Sequence, residues 1–318
     1  MANEREVPIF IFNGFLESGK TTMIRRMLQN PDFTDGQHIL LIVCEEGLEE
    51  FDEAVCKEKH VAIANIDAAE SFNKSTMEQL EQAHKPDSVL IEFNGMWDPE
   101  MMLTAPYPKA WFIAQILTMV NSETFQNYYT NMRQMTATQF KLTDVVVFNR
   151  FDDRKNDKFS YRSACKAQNM RVQVVFEYPS GEIDAAFDAS PFDLTQKVID
   201  IPDQDFPTWY FDVMDNAERY DGKVIHVLCH VAKLTAPNQS GFVMGRHVMT
   251  CCAEDIQFMG IYCINHMQFE DEAWVYLTGT VKAVDSSVYG EDGGELLPVL
   301  QVSRLEHAPA PEEEVLML

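Results

Sequence analysis

Val7-Pro-Ile-Phe-Ile-Phe-Asn-Gly14-Phe-Leu-Glu-Ser-Gly19-Lys20-Thr21-Thr22 is the stretch that decides the fold. Its first residues form an apolar β-type run. Gly14 to Thr21 then fit G-x-x-x-x-G-K-[ST], and a helical pattern follows over residues 20–29. Strand, glycine-rich turn and helix together make the setting in which that motif cradles phosphate. The glycines let backbone N–H groups turn inward, and the helix N-terminus adds a partial positive charge. Lys20 is placed to reach the β- and γ-phosphates, and the Thr21 hydroxyl to ligate Mg²⁺. The expected nucleotide contacts here are Gly14, Glu17, Ser18, Gly19, Lys20, Thr21 and Thr22.

Outward from this loop, apolar runs at residues 39–43, 89–93, 112–120, 145–148 and 172–176 predict further strands, with helical patterns between them. That alternation predicts an α/β P-loop NTPase fold with a mostly parallel sheet. The texture changes near Pro191, Pro202 and Pro207. Short β-type runs at 224–231, 241–250, 260–264, 273–284 and 297–302, separated by turn signals, then predict a smaller all-β domain, a barrel or a sandwich. The expected division is a P-loop domain over 1–190, a linker over 191–215, the all-β domain over 216–308 and an acidic tail over 309–318.

Charge limits the partners. The 318 residues carry 25 Lys and Arg against 50 Asp and Glu, a net charge of −25. Such a surface repels phosphate backbones and anionic headgroups, so nucleic acid and membrane surfaces are not expected partners. The longest apolar run, 110–120, is interrupted by Gln115 and Thr118 and falls short of the ~20 residues that cross a bilayer. The start has no leader-like pattern. Seven cysteines without regular spacing do not make a disulfide framework, so a cytoplasmic protein with free thiols is expected.

Two later segments bear on the nucleotide. Asn149-Arg-Phe-Asp152 follows the 145–148 run and is similar to the N-K-x-D signature that reads guanine, with Arg150 in place of Lys. A carboxylate at Asp152 accepts from the guanine N1 and N2 hydrogens, which adenine lacks, and Arg can stack on a base as Lys covers it. Glu92, ending the 89–93 run, is positioned to hold Mg²⁺ or orient the attacking water. Lys20, Thr21 and Glu92 are therefore the candidate catalytic residues.

These motifs together resemble the CobW-type GTPases, a family of metal chaperones and cofactor-maturation factors, over about residues 7–185. Gly14-Phe-Leu-Glu-Ser-Gly-Lys-Thr-Thr22 is similar to the family's G-F-L-G-A-G-K-T-T, and Ile91-Glu-Phe-Asn-Gly-Met-Trp-Asp-Pro99 to its I-E-T-S-G-x-A-x-P. Thr118-Met-Val-Asn-Ser-Glu-Thr-Phe125 is similar to V-V-D-A-x-x-F, with Asn121 in place of Asp. Glu45 matches the acidic residue after the second strand. One departure stands out. Where the family carries C-x-C-C, residues 60–69 contain no cysteine; Cys44 and Cys56, near Glu45, read as small apolar residues, the alternative being a partial metal site.

The all-β region holds the densest run of metal-capable side chains, Arg246-His247-Val-Met-Thr-Cys251-Cys252-Ala-Glu-Asp255. Cys251, Cys252 and Asp255 are candidate zinc ligands, with Cys229-His230 as a neighbouring source. The alternative is that Cys251 packs in the core. This region also resembles the C-terminal part of bacterial permease-associated proteins with the pattern R-F-x-x-x-C-C-x-x-D and W-V-x-x-x-G, here ending in Trp274 to Gly279.

The resulting expectation is a slow Mg²⁺-dependent GTPase with GTP and Mg²⁺ as cofactors and Zn²⁺ as a candidate third, acting as a metal chaperone on a client metalloprotein or permease. The alternative is a nucleotide-dependent switch that docks its β-module on a partner with negligible hydrolysis. An ATP-dependent small-molecule kinase is the third reading.

Overall fold

The computed structural model describes residues 6–45, 47, 51–185, 189–233, 241–250, 253–264, 271, 273–289 and 294–318. The chain divides into two compact units: Met1–Asp157 with Gln168–Ala185, and Lys158–Ala167 with Ala186–Leu318.

The first unit is built on β1 (Val7–Asn13), β2 (Ile39–Val43), β3 (Val61–Asn65), β4 (Ser88–Glu92), β5 (Trp111–Asn121), β6 (Val145–Asn149), β7 (Gln173–Glu177) and β8 (Ile183–Asp184). They lie in the order β3-β2-β4-β1-β5-β6-β7-β8, all parallel except the last pair. The crossovers are α1 (Lys20–Gln29), α2 (Pro31–Thr34), α3 (Glu53–Glu58), α4 (Lys74–His84), α5 (Met101–Thr104), α6 (Phe125–Asn131) and α7 (Arg133–Lys141). Alternation along the strands feeds two cores. Ile9, Ile11, Leu40, Ile42 and Ile91 pack with Met77 of α4, whereas Phe12, Leu41 and Leu90 pack with Ile24 and Leu28 of α1. A parallel sheet covered on both faces has to be apolar on both, which is why these strands read as unbroken hydrophobic runs.

The second unit contains α8 (Lys158–Lys166), β9 (Ile199–Ile201), α9 (Phe206–Asp215), α10 (Ala217–Tyr220), β10 (Val224–Lys233), β11 (Phe242–Met249), β12 (Ile256–Ile264), β13 (Ala273–Asp285), β14 (Leu296–His307) and β15 (Val315–Met317). Strands β10, β11, β12, β14 and β13 pair in a closed ring, so the all-β region is a five-stranded barrel. Closure removes the edges that an open sheet would expose. Ile225, Val227, Cys229 and Val231 of β10 face the interior with Met244 and Leu277, in the period-two pattern of a strand with one buried face.

The expected boundaries need three corrections. Segment 191–215 is not a linker: β9 pairs with β10, and α9 buries Phe206, Trp209, Phe211 and Val213. Segment 309–318 is not a loose tail, because β15 pairs with β11 and buries Leu316. Residues 158–167 belong to the second unit, although they lie within the expected first domain. Three-residue strands carry too little periodicity to be seen in sequence, and α9 is apolar around much of its circumference, which blurs its helical stripe. Strand β3 escaped notice for a related reason, since its alanines have weak strand preference. Among the described residues no helix is long and apolar enough to cross a membrane, and Cys44, Cys56, Cys165, Cys229 and Cys263 are buried and not in disulfides.

Leu316→Ala should destabilise the protein by about 2–4 kcal/mol, the cost of emptying a buried leucine site. Thermal unfolding of this variant and of the exposed Met317→Ala checks it. Equal midpoints for the two would show that β15 does not contribute to the core.

Candidate functional site

The C-terminal ends of β1, β4 and β6 bring the sequence-predicted residues together, at the edge of a parallel sheet where ligands of such folds collect. Helix α1 begins at Gly19, whose φ of +100° is in the left-handed region, and no side chain caps its first turn. A helix start without a side-chain cap is a setting that can receive an anion. Residues Lys20, Ile24 and Leu28 form the buried stripe of α1, so the same spacing that anchors the helix also buries the lysine.

Lys20 is 3% exposed. Its ammonium donates to the carbonyls of Gly14 at 2.7 Å and Phe15 at 3.0 Å and to Glu45 Oε2 at 2.6 Å. Beside it, the Thr21 hydroxyl donates to Glu92 Oε1 at 2.6 Å. Glu92 is buried at the end of β4, in register with Phe12 of β1. On the next strands, the Asn149 amide donates to the Ser18 carbonyl at 2.6 Å and the Arg150 guanidinium to the Glu17 carbonyl at 3.2 Å. Glu17 and Arg150 both have positive φ, 62° and 53°. The 149–150 turn thus clips the phosphate loop through its carbonyls, which aims the loop's N–H groups to the other side.

Gly95 closes the loop from the β4 side. A Cβ there would lie 2.0 Å from the Gly14 carbonyl oxygen, so the two backbones approach more closely than any side chain allows. Gln139 of α7 holds the Gly95 carbonyl at 3.1 Å.

A cleft of about 300 Å³ opens over this arrangement, lined by Glu17 to Thr22, Glu45, Gly47, Glu92 and Arg150. A neighbouring cavity of about 440 Å³ is lined by Gly19, Thr22, Met23, Arg26, Asn149, Arg150 and the Glu177–Gly181 turn, with Arg26 and Glu177 ion-paired. Asp152 is not in its lining. It sits one cavity further on, with Tyr178, Pro179 and Ser180 shared between the two. Its carboxylate accepts from the Arg154 N–H at 3.1 Å and lies 3.4 Å from the Lys155 ammonium. The Arg154 hydrogen bond, with Lys155 adding to it, holds that carboxyl below its usual range against a smaller opposing effect of burial.

The metal expectations fare differently. Cys44 and Cys56 are buried in two different cores, so they do not form one site. Burial pushes the Cys44 thiol far up, and Glu92, Glu45 and Asp67 push it the same way, which disfavours the thiolate a metal needs. Cys251 and Cys252 lie outside the described residues. Asp255 ends a short turn, Ala253–Asp255, before β12. Among the described residues no group of three or more His, Cys, Asp or Glu converges as a metal site. Sequence reading missed the role of Glu45 as the counter-ion of Lys20, and it missed the Arg26–Glu177 pair and the Tyr178 to Ser180 wall. The cue for the last was a Tyr-Pro-Ser-Gly turn directly after a strand.

Residues 8–176, more than half of the chain, match the CobW/HypB/UreG nucleotide-binding domain. The chain belongs to the CobW/HypB/UreG family. Residues 184–316 match a second family, the DUF1980 C-terminal domain. A curated relative, the zinc chaperone CobW of Sinorhizobium sp, is 32% identical over 117 residues, which cover 33% of this chain and 32% of that protein. This chain therefore spans about a third of the length of the curated relative it matches. Among solved structures, the hydrogenase maturation factor HypB from Archaeoglobus fulgidus is 15% identical, covering 56% of this chain and 83% of that one at a TM-score of 0.40. HypB from Helicobacter pylori in complex with nickel is 14% identical, covering 54% and 79% at a TM-score of 0.39. Neither likeness is close enough to carry an argument about chemistry.

Gly95→Ala should force the β4 loop off Gly14, lower stability by about 1–3 kcal/mol, the usual cost of overpacking, and weaken nucleotide binding. Titration with a fluorescent guanine nucleotide measures it. Wild-type affinity in this variant would mean that the close approach has no part in shaping the loop.

Proposed function

We propose that this protein binds GTP and hydrolyses it slowly with Mg²⁺, and that the nucleotide cycle serves metal handling. The observation that supports this most is the convergence of Lys20, Thr21, Glu92 and Asn149 on one loop at the sheet edge. Phosphoryl transfer to water needs no nucleophilic side chain. It needs positive charge and N–H donors fixed around the transferring group. Lys20 and the first turn of α1 supply both.

Thr21 and Glu92 present hard oxygen atoms 2.6 Å apart, a donor set of the kind Mg²⁺ takes, and they are the residues that would hold it. When bound, the ion would add positive charge against the phosphate oxygens. Lys20 is already paired with Glu45, so phosphate entry exchanges one anion for another at the same ammonium. Arg150 lines the cleft, but its guanidinium is engaged by the Glu17 carbonyl. With no arginine assigned to the transferring phosphoryl group, intrinsic turnover should be slow until a partner or a second copy completes the site.

Asn149 and Asp152 are assigned to guanine. Asn149 braces the loop, and Asp152, kept ionised, offers the acceptors that guanine's N1 and N2 hydrogens require. Metal handling is supported by family membership and by the zinc chaperone relative. Where the family carries C-x-C-C, β3 carries Val-Ala-Ile-Ala-Asn. Any metal ligands then lie elsewhere, and Cys251, Cys252 and Asp255 remain the proposed zinc set.

Lys20→Ala should abolish GTP hydrolysis and cost at least about tenfold in GTP affinity, since a charged hydrogen-bond donor is worth about 1.5–3 kcal/mol. Wild-type turnover in this variant would overturn the site. Asp152→Asn should weaken GTP and favour xanthosine triphosphate, whose 2-oxo group accepts from the new amide. Equal binding of ATP and GTP by the wild-type protein would exclude the guanine assignment. Single-turnover GTP cleavage with and without Zn²⁺ separates a hydrolysing chaperone from a docking switch.

A further inference from the structure

The outer face of the barrel carries an arrangement that is independent of the nucleotide reading. On β10 the buried residues alternate with His226 and His230, which are half-buried and lie on the outer side. Directly across from His230 on β11 is Gly245, and two residues further along the same face is His247. The two imidazoles approach diagonally, with ring centroids 6.0 Å apart and planes inclined at 54°. Trp274, opposite His230 on β13, lies 5.2 Å from it, and Phe258, opposite His247 on β12, lies 5.1 Å from that ring.

Gly245 lies beside both histidines on this face. A Cβ there would come within 2.1 Å of the Met259 carbonyl oxygen and 2.9 Å of Phe258 Cζ, so the position takes no side chain. The two imidazoles are thus walled by two aromatic rings, with Phe258 and the Met259 backbone packed against Gly245.

We propose that His230 and His247 form a site for a borderline divalent transition cation of the Zn²⁺ class, with its remaining positions open to water or to a ligand brought by another molecule. Zn–N bonds of about 2.0–2.1 Å place two imidazoles on one ion with centroids about 5–6 Å apart, the spacing found here. The aromatic walls restrict ring rotation, so less rotamer freedom is lost on binding. A chain with net charge −25 raises the local concentration of cations. The Arg246 guanidinium, 4.8 Å from the Trp274 ring, is ion-paired with Asp203 and donates to the Glu313 carbonyl. Cys229 precedes His230 in sequence but takes no part, because it is fully buried among the barrel's interior residues and burial pushes its thiol up.

The full chain is titrated with Zn²⁺ against a chromogenic chelator, as wild type, His230→Gln, His247→Gln and Cys251→Ser/Cys252→Ser. Each histidine variant should weaken one zinc equivalent by more than about tenfold, since even loss of a supporting partner costs 10–100-fold. Wild-type affinity in both histidine variants overturns the proposal, and loss in the cysteine variant alone would then assign the metal to the cysteines. A second readout needs no substitution: Cu²⁺ added to the wild type should selectively broaden the ring resonances of His230 and His247 among the eight histidines. Uniform broadening, or none at these two, also overturns it.

Discussion

The Lys20 ammonium is the constraint around which the first unit is arranged. A buried ammonium with unmatched charge would cost several kcal/mol, so its surroundings have to answer it. Two loop carbonyls and Glu45 do so. Turning the Gly14 and Phe15 carbonyls toward the lysine shapes one side of the loop, and the clip from Asn149 and Arg150 shapes the other. The parallel sheet suits the same requirement, because it aligns the C-terminal ends of β1, β2, β4 and β6, which deliver these partners from distant parts of the chain.

The two sequence families in this chain keep separate physical logics. The CobW/HypB/UreG part builds its site on strand ends, where irregular backbone is available to bind phosphate. The DUF1980 C-terminal part closes a barrel, where the backbone is consumed by pairing and the chemistry has to sit on side chains. The missing C-x-C-C motif fits this contrast: β3 presents alanines where thiols would have been, and the imidazole-bearing surface is on the barrel strands.

What could be read from sequence was local. The phosphate loop is a contiguous motif whose residue types are fixed by the turn they make. Glu92 and Asn149 were legible because each ends a strand that is itself obvious. Glu45 was legible as a motif residue, but its pairing with Lys20 was not, since contact across 25 positions leaves no periodic trace. The Arg26–Glu177 pair is more extreme, joining α1 to β7 across 151 positions. Strands β9 and β15 were hidden by brevity: each borrows its stability from a neighbour's edge, not from its own composition.

Helix α8 has a consequence for anyone dividing this protein. Residues 158–167 match the nucleotide-binding family by sequence yet pack with the barrel unit, where Arg162 and Lys166 meet Asp215 of α9 and Tyr161 and Cys165 are buried. The barrel unit is therefore discontinuous in sequence, with the covalent chain running out to it and back before the final crossing. A fragment beginning at residue 186 would lack one of its own helices and expose the apolar surface that helix covers. A fragment ending at residue 185 would carry α8 with nothing to fold against. Two separate sequence families do not make two separable halves, and a clean division would require transposing the 158–167 segment onto the barrel fragment.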